Sequence, residues 1–231
     1  MRHALDLASS AIASLLRGGA GGRVAALGRR PAQPLELYEF EACPFCRKVR
    51  EALSALDVDA IIYPCPKNGP RFRPEVVRLG GKAQFPYLVD RNTGRELYES
   101  DDIVSYLFAE YGAGERPLAL RLGPLTDLSS FAASLVRPAA GAWYLPARAP
   151  AQPLALWSFE ASPQCRLVRE RLCALEISYL LHNVARGSPR CVALGPDAPE
   201  ARVPYLEDPN SETGLSGSSA INAYLDRTYR S

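Results

Sequence analysis

The chain has 231 residues, 47% of them hydrophobic, with 27 basic side chains against 25 acidic ones and a formal net charge of +2. That balance argues against a nucleic-acid partner, and no apolar run reaches the roughly 18 residues of a membrane span. Two histidines give poor support to histidine-based catalysis, and six cysteines in a chain able to bury proper cores point to a reducing compartment rather than a secreted disulfide framework.

Residues 1–30 are rich in Ala, Ser and Arg. They read as an amphipathic helix from about Leu5 to Leu16 followed by a Gly-rich connector. The same composition suits an organelle transit peptide, so the compartment is expected to be the cytoplasm, with an organelle such as a plastid as the alternative.

Leu35–Phe40 alternates like a buried strand. A turn with Pro44 leads into a helix carrying Val49, Leu53 and Leu56, where proline fits because the first turn leaves its N–H groups unused. Val58–Tyr63 is a second strand, and a short helix lies near Pro74–Leu79. Tyr87–Val89 and Glu96–Tyr98 form a hairpin across Asn92-Thr93-Gly94. Ser100 caps a last helix bearing Ile103, Val104, Tyr106 and Leu107.

This βαβαββα pattern occurs twice. Leu35-Glu36-Leu37-Tyr38-Glu39-Phe40-Glu41-Ala42-Cys43-Pro44-Phe45-Cys46-Arg47 returns as Leu154-Ala155-Leu156-Trp157-Ser158-Phe159-Glu160-Ala161-Ser162-Pro163-Gln164-Cys165-Arg166. Phe85-Pro86-Tyr87-Leu88 returns as Val203-Pro204-Tyr205-Leu206, and Ser100 returns as Ser218. The expected division is an N-terminal helical segment (1–30), a first α/β domain (31–112), a partly helical connector (113–150) and a second α/β domain (151–231). The connector, with a helix over Leu125–Val136, matches neither copy.

Cys43 stands where a strand gives way to a helix. The unpaired N–H groups of a helix N-terminus favour a thiolate, and Arg47 and Lys48 add positive charge one turn on. Such sites lower a thiol pKa from about 8.5 to roughly 3.5–7.5. Cys46 is spaced to resolve a mixed disulfide and sits deeper in the helix. A cis bond at Phe85-Pro86 would bring the Phe85 backbone beside the thiol. Glu99 and Ser100 offer an anion to an ammonium group and helix N–H groups to a carboxylate. The alternatives at these positions are a zinc half-site or an iron–sulfur cluster shared between two chains, a trans proline at a strand start and a plain helix cap.

The element order, the Cys-Pro-Phe-Cys turn, the proline before the third strand and the Glu-Ser pair resemble glutaredoxins and the N-terminal domain of glutathione transferases. Tyr63-Pro64-Cys65-Pro66-Lys67-Asn68-Gly69-Pro70 and Gln84-Phe85-Pro86-Tyr87 most resemble a plant, algal and bacterial subgroup with two such domains in tandem. The resemblance spans about residues 31–231 and implies two thioredoxin-like domains. It implies Cys43 as nucleophile, Cys46 as resolving thiol, and Phe85 with cis-Pro86 at the cysteinyl part of glutathione. Glu99 and Ser100 would hold the γ-glutamyl end. Glutathione would be the co-substrate, disulfides or glutathionylated proteins the partners, and no metal is implied.

The second copy departs from this pattern. Ser162 replaces the nucleophile, leaving Cys165, Val203, Pro204 and Ser218 as its remaining equivalents, and Gly217 stands for Glu99. The second copy is therefore expected to be a structural or binding partner. Cys173 reads as core, Cys191 as lying near a short helix, and Cys65 as either a third redox thiol or a buried inert one. The expected activity is a glutathione-dependent thiol–disulfide oxidoreductase. The alternatives are a non-catalytic glutathione- or partner-binding protein and a glutathione transferase or isomerase. Conjugation is disfavoured because a second thioredoxin-like copy stands where transferases carry an all-helical domain.

Overall fold

The computed structural model describes residues 2–25, 27–113, 116–121, 124–138, 140–190 and 202–231. The chain opens with α1 (Arg2–Leu16). The first copy follows as β1 (Leu35–Glu39), α2 (Pro44–Leu56), β2 (Ala60–Pro64), α3 (Phe72–Gly80), β3 (Tyr87–Asp90), β4 (Arg95–Leu97) and α4 (Ser100–Tyr111). Next comes α5 (Pro124–Leu135). The second copy supplies β5 (Leu154–Ser158), α6 (Pro163–Ala174), β6 (Tyr179–Asn183), β7 (Tyr205–Asp208), β8 (Thr213–Ser216) and α7 (Ser218–Tyr229). Cys191 lies outside the described residues.

Each copy is a thioredoxin-like unit. In the first, β1 pairs in parallel with β2 and antiparallel with β3, which pairs with β4. The second copy repeats these pairings. The units then join edge to edge. β2 pairs antiparallel with β6, giving one eight-stranded sheet in the order β4-β3-β1-β2-β6-β5-β7-β8. Ile61 faces its own counterpart Leu180 at the centre of that junction, so a pseudo-twofold axis passes there. The junction removes two exposed strand edges that would otherwise invite aggregation. One apolar core, including Leu37, Leu53, Ile62, Leu156, Val168 and Leu181, runs through both units.

The segment between the copies has a counterpart after all. Ser9-Ser10-Ala11-Ile12-Ala13-Ser14-Leu15-Leu16-Arg17 returns as Ser129-Ser130-Phe131-Ala132-Ala133-Ser134-Leu135-Val136-Arg137. The two arms cross over the dyad. α1 packs on α6 and α5 on α2. Ser10 Oγ donates to the Pro163 carbonyl at 3.0 Å, and Ser130 Oγ to the Pro44 carbonyl at 2.7 Å. Arg17 pairs with Glu51 and donates to Ser129, whereas Arg137 pairs with Glu170 and donates to Ser9. Each arm therefore roofs the start of the other copy's first helix. Among the described residues no helix is long and apolar enough to cross a membrane.

Candidate functional site

Cys43 is the N-cap of α2, in extended conformation with Pro44 behind it. Its Sγ accepts the Cys46 N–H at 3.3 Å. Hydrogen bonding from the Cys46 thiol, and then from the backbone N–H groups of Cys46 and Phe45, holds the Cys43 thiol below the usual range despite burial. Cys46 is fully buried, and burial pushes its thiol well up. The two sulfurs thus have divided characters: one favours the thiolate, the other keeps its proton.

Arg47 and Lys48 do not serve the thiol as expected. The Lys48 ammonium binds Asp101 at 2.7 Å and Asp127 at 2.5 Å, tying α2 to α4 and α5. The Arg47 guanidinium faces Glu160 in the interior. Their charge is met by carboxylates, so the thiolate depends on the Cys46 thiol and the N–H groups of the helix terminus.

Sheet register brings the other candidates to the same end. Tyr38 pairs with Tyr87, which sets Phe85-Pro86 beside the end of β1 and the Cys43 turn. Leu88 pairs with Leu97, which carries Glu99-Ser100 alongside Pro86. The Phe85-Pro86 bond is cis. The Phe85 ring meets Phe40 edge-on at 6.0 Å and lies 4.7 Å beneath the Arg73 guanidinium. Glu99, not Ser100, is the N-cap of α4. It adopts φ 62°, and its carboxylate accepts from Gln84 Nε2. Ser100 is the first helical residue and is buried.

The second copy keeps this frame. Ser162 caps α6 and accepts the Cys165 N–H at 3.3 Å. Val203-Pro204 is cis, and Gly217 precedes the buried Ser218 with φ 87°. Glycine takes that conformation without the steric cost that Glu99 bears at the equivalent place.

Cys65 Sγ is buried within a cluster of Tyr38, Val76, Tyr87 and Val89, and burial pushes its thiol well up, which favours the inert reading. Cys173 is core and accepts the Glu41 N–H at 3.4 Å.

Sequence reasoning missed the wall that α5 builds beside Cys43. Pro44, Phe45, Leu128 and Phe131, with Asp127, line an apolar cleft of about 290 Å³. Phe45 is 49% and Phe131 53% exposed. The signal was the apolar spacing Leu125, Leu128, Phe131, Leu135 on one helix face.

The divided thiols lead to an expected labelling pattern. Iodoacetamide at pH 7 on the folded, reduced chain is expected to modify Cys43 well before Cys46, Cys65 or Cys173, as read by peptide mass spectrometry. Because the folded pKa is lowered, the Cys43 rate should hold as pH falls below the free-thiol value of about 8.5 and drop only below the folded one. Equal labelling of Cys43 and Cys46 would contradict the assignment.

These features define a thioredoxin-fold protein with a cysteine at the end of its first central strand. The glutathione S-transferase N-terminal domain family matches residues 37–117 and again 156–231, and the chain belongs to that family. Among solved structures, the glutathione transferase BmGSTD1 of Bombyx mori is similar at 31% identity over 37% of this chain and 39% of that one, with a TM-score of 0.32. Its complex with GTT gives 27% identity over 40% and 45%, with a TM-score of 0.34. A delta-class glutathione transferase of Nilaparvata lugens gives 28% over 41% and 43%, with a TM-score of 0.31. The chain thus spans less than half the length of each. No curated protein matches.

Proposed function

We propose that the chain is a glutathione-dependent thiol–disulfide oxidoreductase working through Cys43. The observation that carries this reading is the Cys43 thiol at the α2 N-terminus, lowered in pKa and flanked by Phe85-Pro86 and Glu99-Ser100. The Cys43 thiolate attacks one sulfur of a disulfide or glutathionylated protein. That S–S bond breaks, a mixed disulfide forms on Cys43, and the departing thiolate takes a proton from water. Glutathione thiolate then attacks the mixed disulfide and releases Cys43. Alternatively, Cys46 loses its proton and closes a Cys43–Cys46 disulfide, which glutathione reduces. For a glutathionylated substrate one free glutathione is consumed, because the other half of the glutathione disulfide comes from the substrate. For any other disulfide two glutathione molecules are oxidised to one glutathione disulfide, the first leaving a glutathione mixed disulfide that the second reduces.

In this reading the Phe85 backbone and the Glu99-Ser100 helix start hold glutathione, and a reducing cytoplasm or plastid-type organelle keeps the pair reduced. The second copy, with Ser162 for the nucleophile, supports rather than turns over. The test is reduction of a small glutathione mixed disulfide by the full chain. Absence of turnover with Cys43 reduced and glutathione present would overturn the proposal.

The apolar cleft beside Phe45 favours a second reading, transfer of glutathione to an apolar electrophile. Conjugation across a panel of aromatic electrophiles, without disulfide reduction, would select it.

A further inference from the structure

The two copies differ where the crossed arms meet the sheet end. In the first copy Lys67 bridges in parallel to Trp143 on the arm, and its ammonium lies 5.0 Å from the centre of the indole ring. That is a satisfied cation–π pair. In the second copy the same bridge joins Arg186 to Arg23. The Val24 N–H donates to the Arg186 carbonyl at 2.9 Å, and the Arg186 N–H to the Gly22 carbonyl at 3.1 Å. Two guanidinium groups therefore stand on directly paired residues, an arrangement that like-charge repulsion disfavours. Both residues are exposed, and neither guanidinium has an ion-pair partner among the described residues.

Beside this pair a cavity of about 690 Å³ opens, within the range of small-molecule sites. Its described lining combines Arg23 and Arg186 with an apolar wall of Leu120, Phe159, Ala161 and Val203. The glycine loop from Gly18 to Gly22 forms another side. Gly21 has φ 74°, and a Cβ there would come within 2.8 Å of Glu160 Cβ. Bare backbone at Gly21 lets the loop pack close against Glu160. Glu51 also reaches the cavity, but Arg17 grips both its oxygens, so it presents little free negative charge. In the first copy Trp143 stands for Arg23 and Phe85 for Val203.

We propose that this cavity binds an organic anion with an apolar body, a carboxylate or sulfonate. The acid group sits between Arg23 and Arg186, and the hydrocarbon lies against Phe159, Ala161, Val203 and Leu120. The site is separate from Cys43 and does not rest on the oxidoreductase reading.

Titration of the full chain with anilinonaphthalene sulfonate, read by fluorescence, tests this. One saturable site per chain, displaced by dodecanoate, is expected. R23Q/R186Q should weaken the dye about tenfold or more, while uncharged N-phenylnaphthylamine binds wild type and variant alike. R23W/V203F, which copies the first-copy residues, should fill the cavity and remove both dyes with unchanged circular dichroism. Sulfonate binding that is absent in wild type, or unchanged in both variants and therefore attributable to the exposed apolar side chains of α1 and α5, overturns the proposal. Disulfide reduction by R23Q/R186Q should match wild type, which separates failure here from failure of the oxidoreductase reading.

Discussion

Cys43→Ser is expected to lower glutathione-dependent reduction of a small mixed disulfide by at least about 10³-fold, the scale on which an enzyme loses activity with its nucleophile. A serine hydroxyl at an α2 N-terminus still accepts the Cys46 N–H, as Ser162 does with Cys165 at 3.3 Å in the second copy. The fold therefore tolerates the change, and the loss reports chemistry rather than unfolding. Cys46→Ser is expected to cost far less on this substrate, within about tenfold, because glutathione itself can resolve the intermediate. Burial of Cys46 and its raised thiol pKa make it a poor first nucleophile. Steady-state rates of the two variants beside wild type decide the matter. Activity that survives Cys43→Ser would remove Cys43 from the mechanism. Equal collapse in both variants would mean that the dithiol, not glutathione, completes each turnover.

The local elements were readable because each carries its own signal. Pro44 after a β-run, Asn92-Thr93-Gly94 in a hairpin and the alternation of Leu35–Phe40 all depend on neighbours in sequence. The meeting of Glu99-Ser100 with the Cys43 turn was legible only through the resemblance; the register of β1, β3 and β4 supplies its physical reason. The crossed arms were harder. Their shared Ser-Ser and Leu-x-Arg positions sit among alanines and serines, which carry little information beside a Cys-Pro-Phe-Cys turn. The buried charges were hardest. Arg47, Arg50 and Glu51 occupy what a single amphipathic helix would give to solvent, yet all three are buried. Helix α2 is covered on its polar side too, by the other copy and by an arm, and no single copy's periodicity encodes a partner placed by the dyad. The recurrence of Glu41, Arg47, Arg50 and Glu51 as Glu160, Arg166, Arg169 and Glu170 was the available clue.

Glu160→Gln is expected to destabilise the fold by about 3–5 kcal/mol, the usual cost of breaking a buried ion pair from one side. Glu160 lies 2.9 Å from Arg50 Nε and 2.7 Å from Arg169 Nη2, with Arg166 at 3.8 Å and Arg47 at 4.0 Å. These side chains are no more than 4% exposed. Charge from Arg169, Arg50, Arg166 and Arg47 holds the Glu160 carboxyl far below its ordinary range against the cost of burial. With Gln in place, Arg50, Arg166 and Arg169 would be left to Glu41 and Glu39, and Arg47 would lose the Glu160 carboxylate it faces. Burial pushes the Glu39 carboxyl up, so it is a weak substitute anion. The pseudo-twofold axis adds a constraint that a lone salt bridge lacks. Glu41 binds Arg169 at 3.1 Å and Arg50 at 3.3 Å, so Glu41→Gln should cost a similar amount. Arg91→Gln, which breaks a surface pair with Glu36, should cost at most about 1 kcal/mol. Denaturant midpoints for the three variants give the comparison. A Glu160→Gln midpoint close to that of Arg91→Gln would show that the cluster is hydrated rather than sealed. Comparable large losses at Glu160 and Glu41, in single transitions, would mean that the charges bind the two copies into one folding unit, because each carboxylate neutralises arginines from both copies.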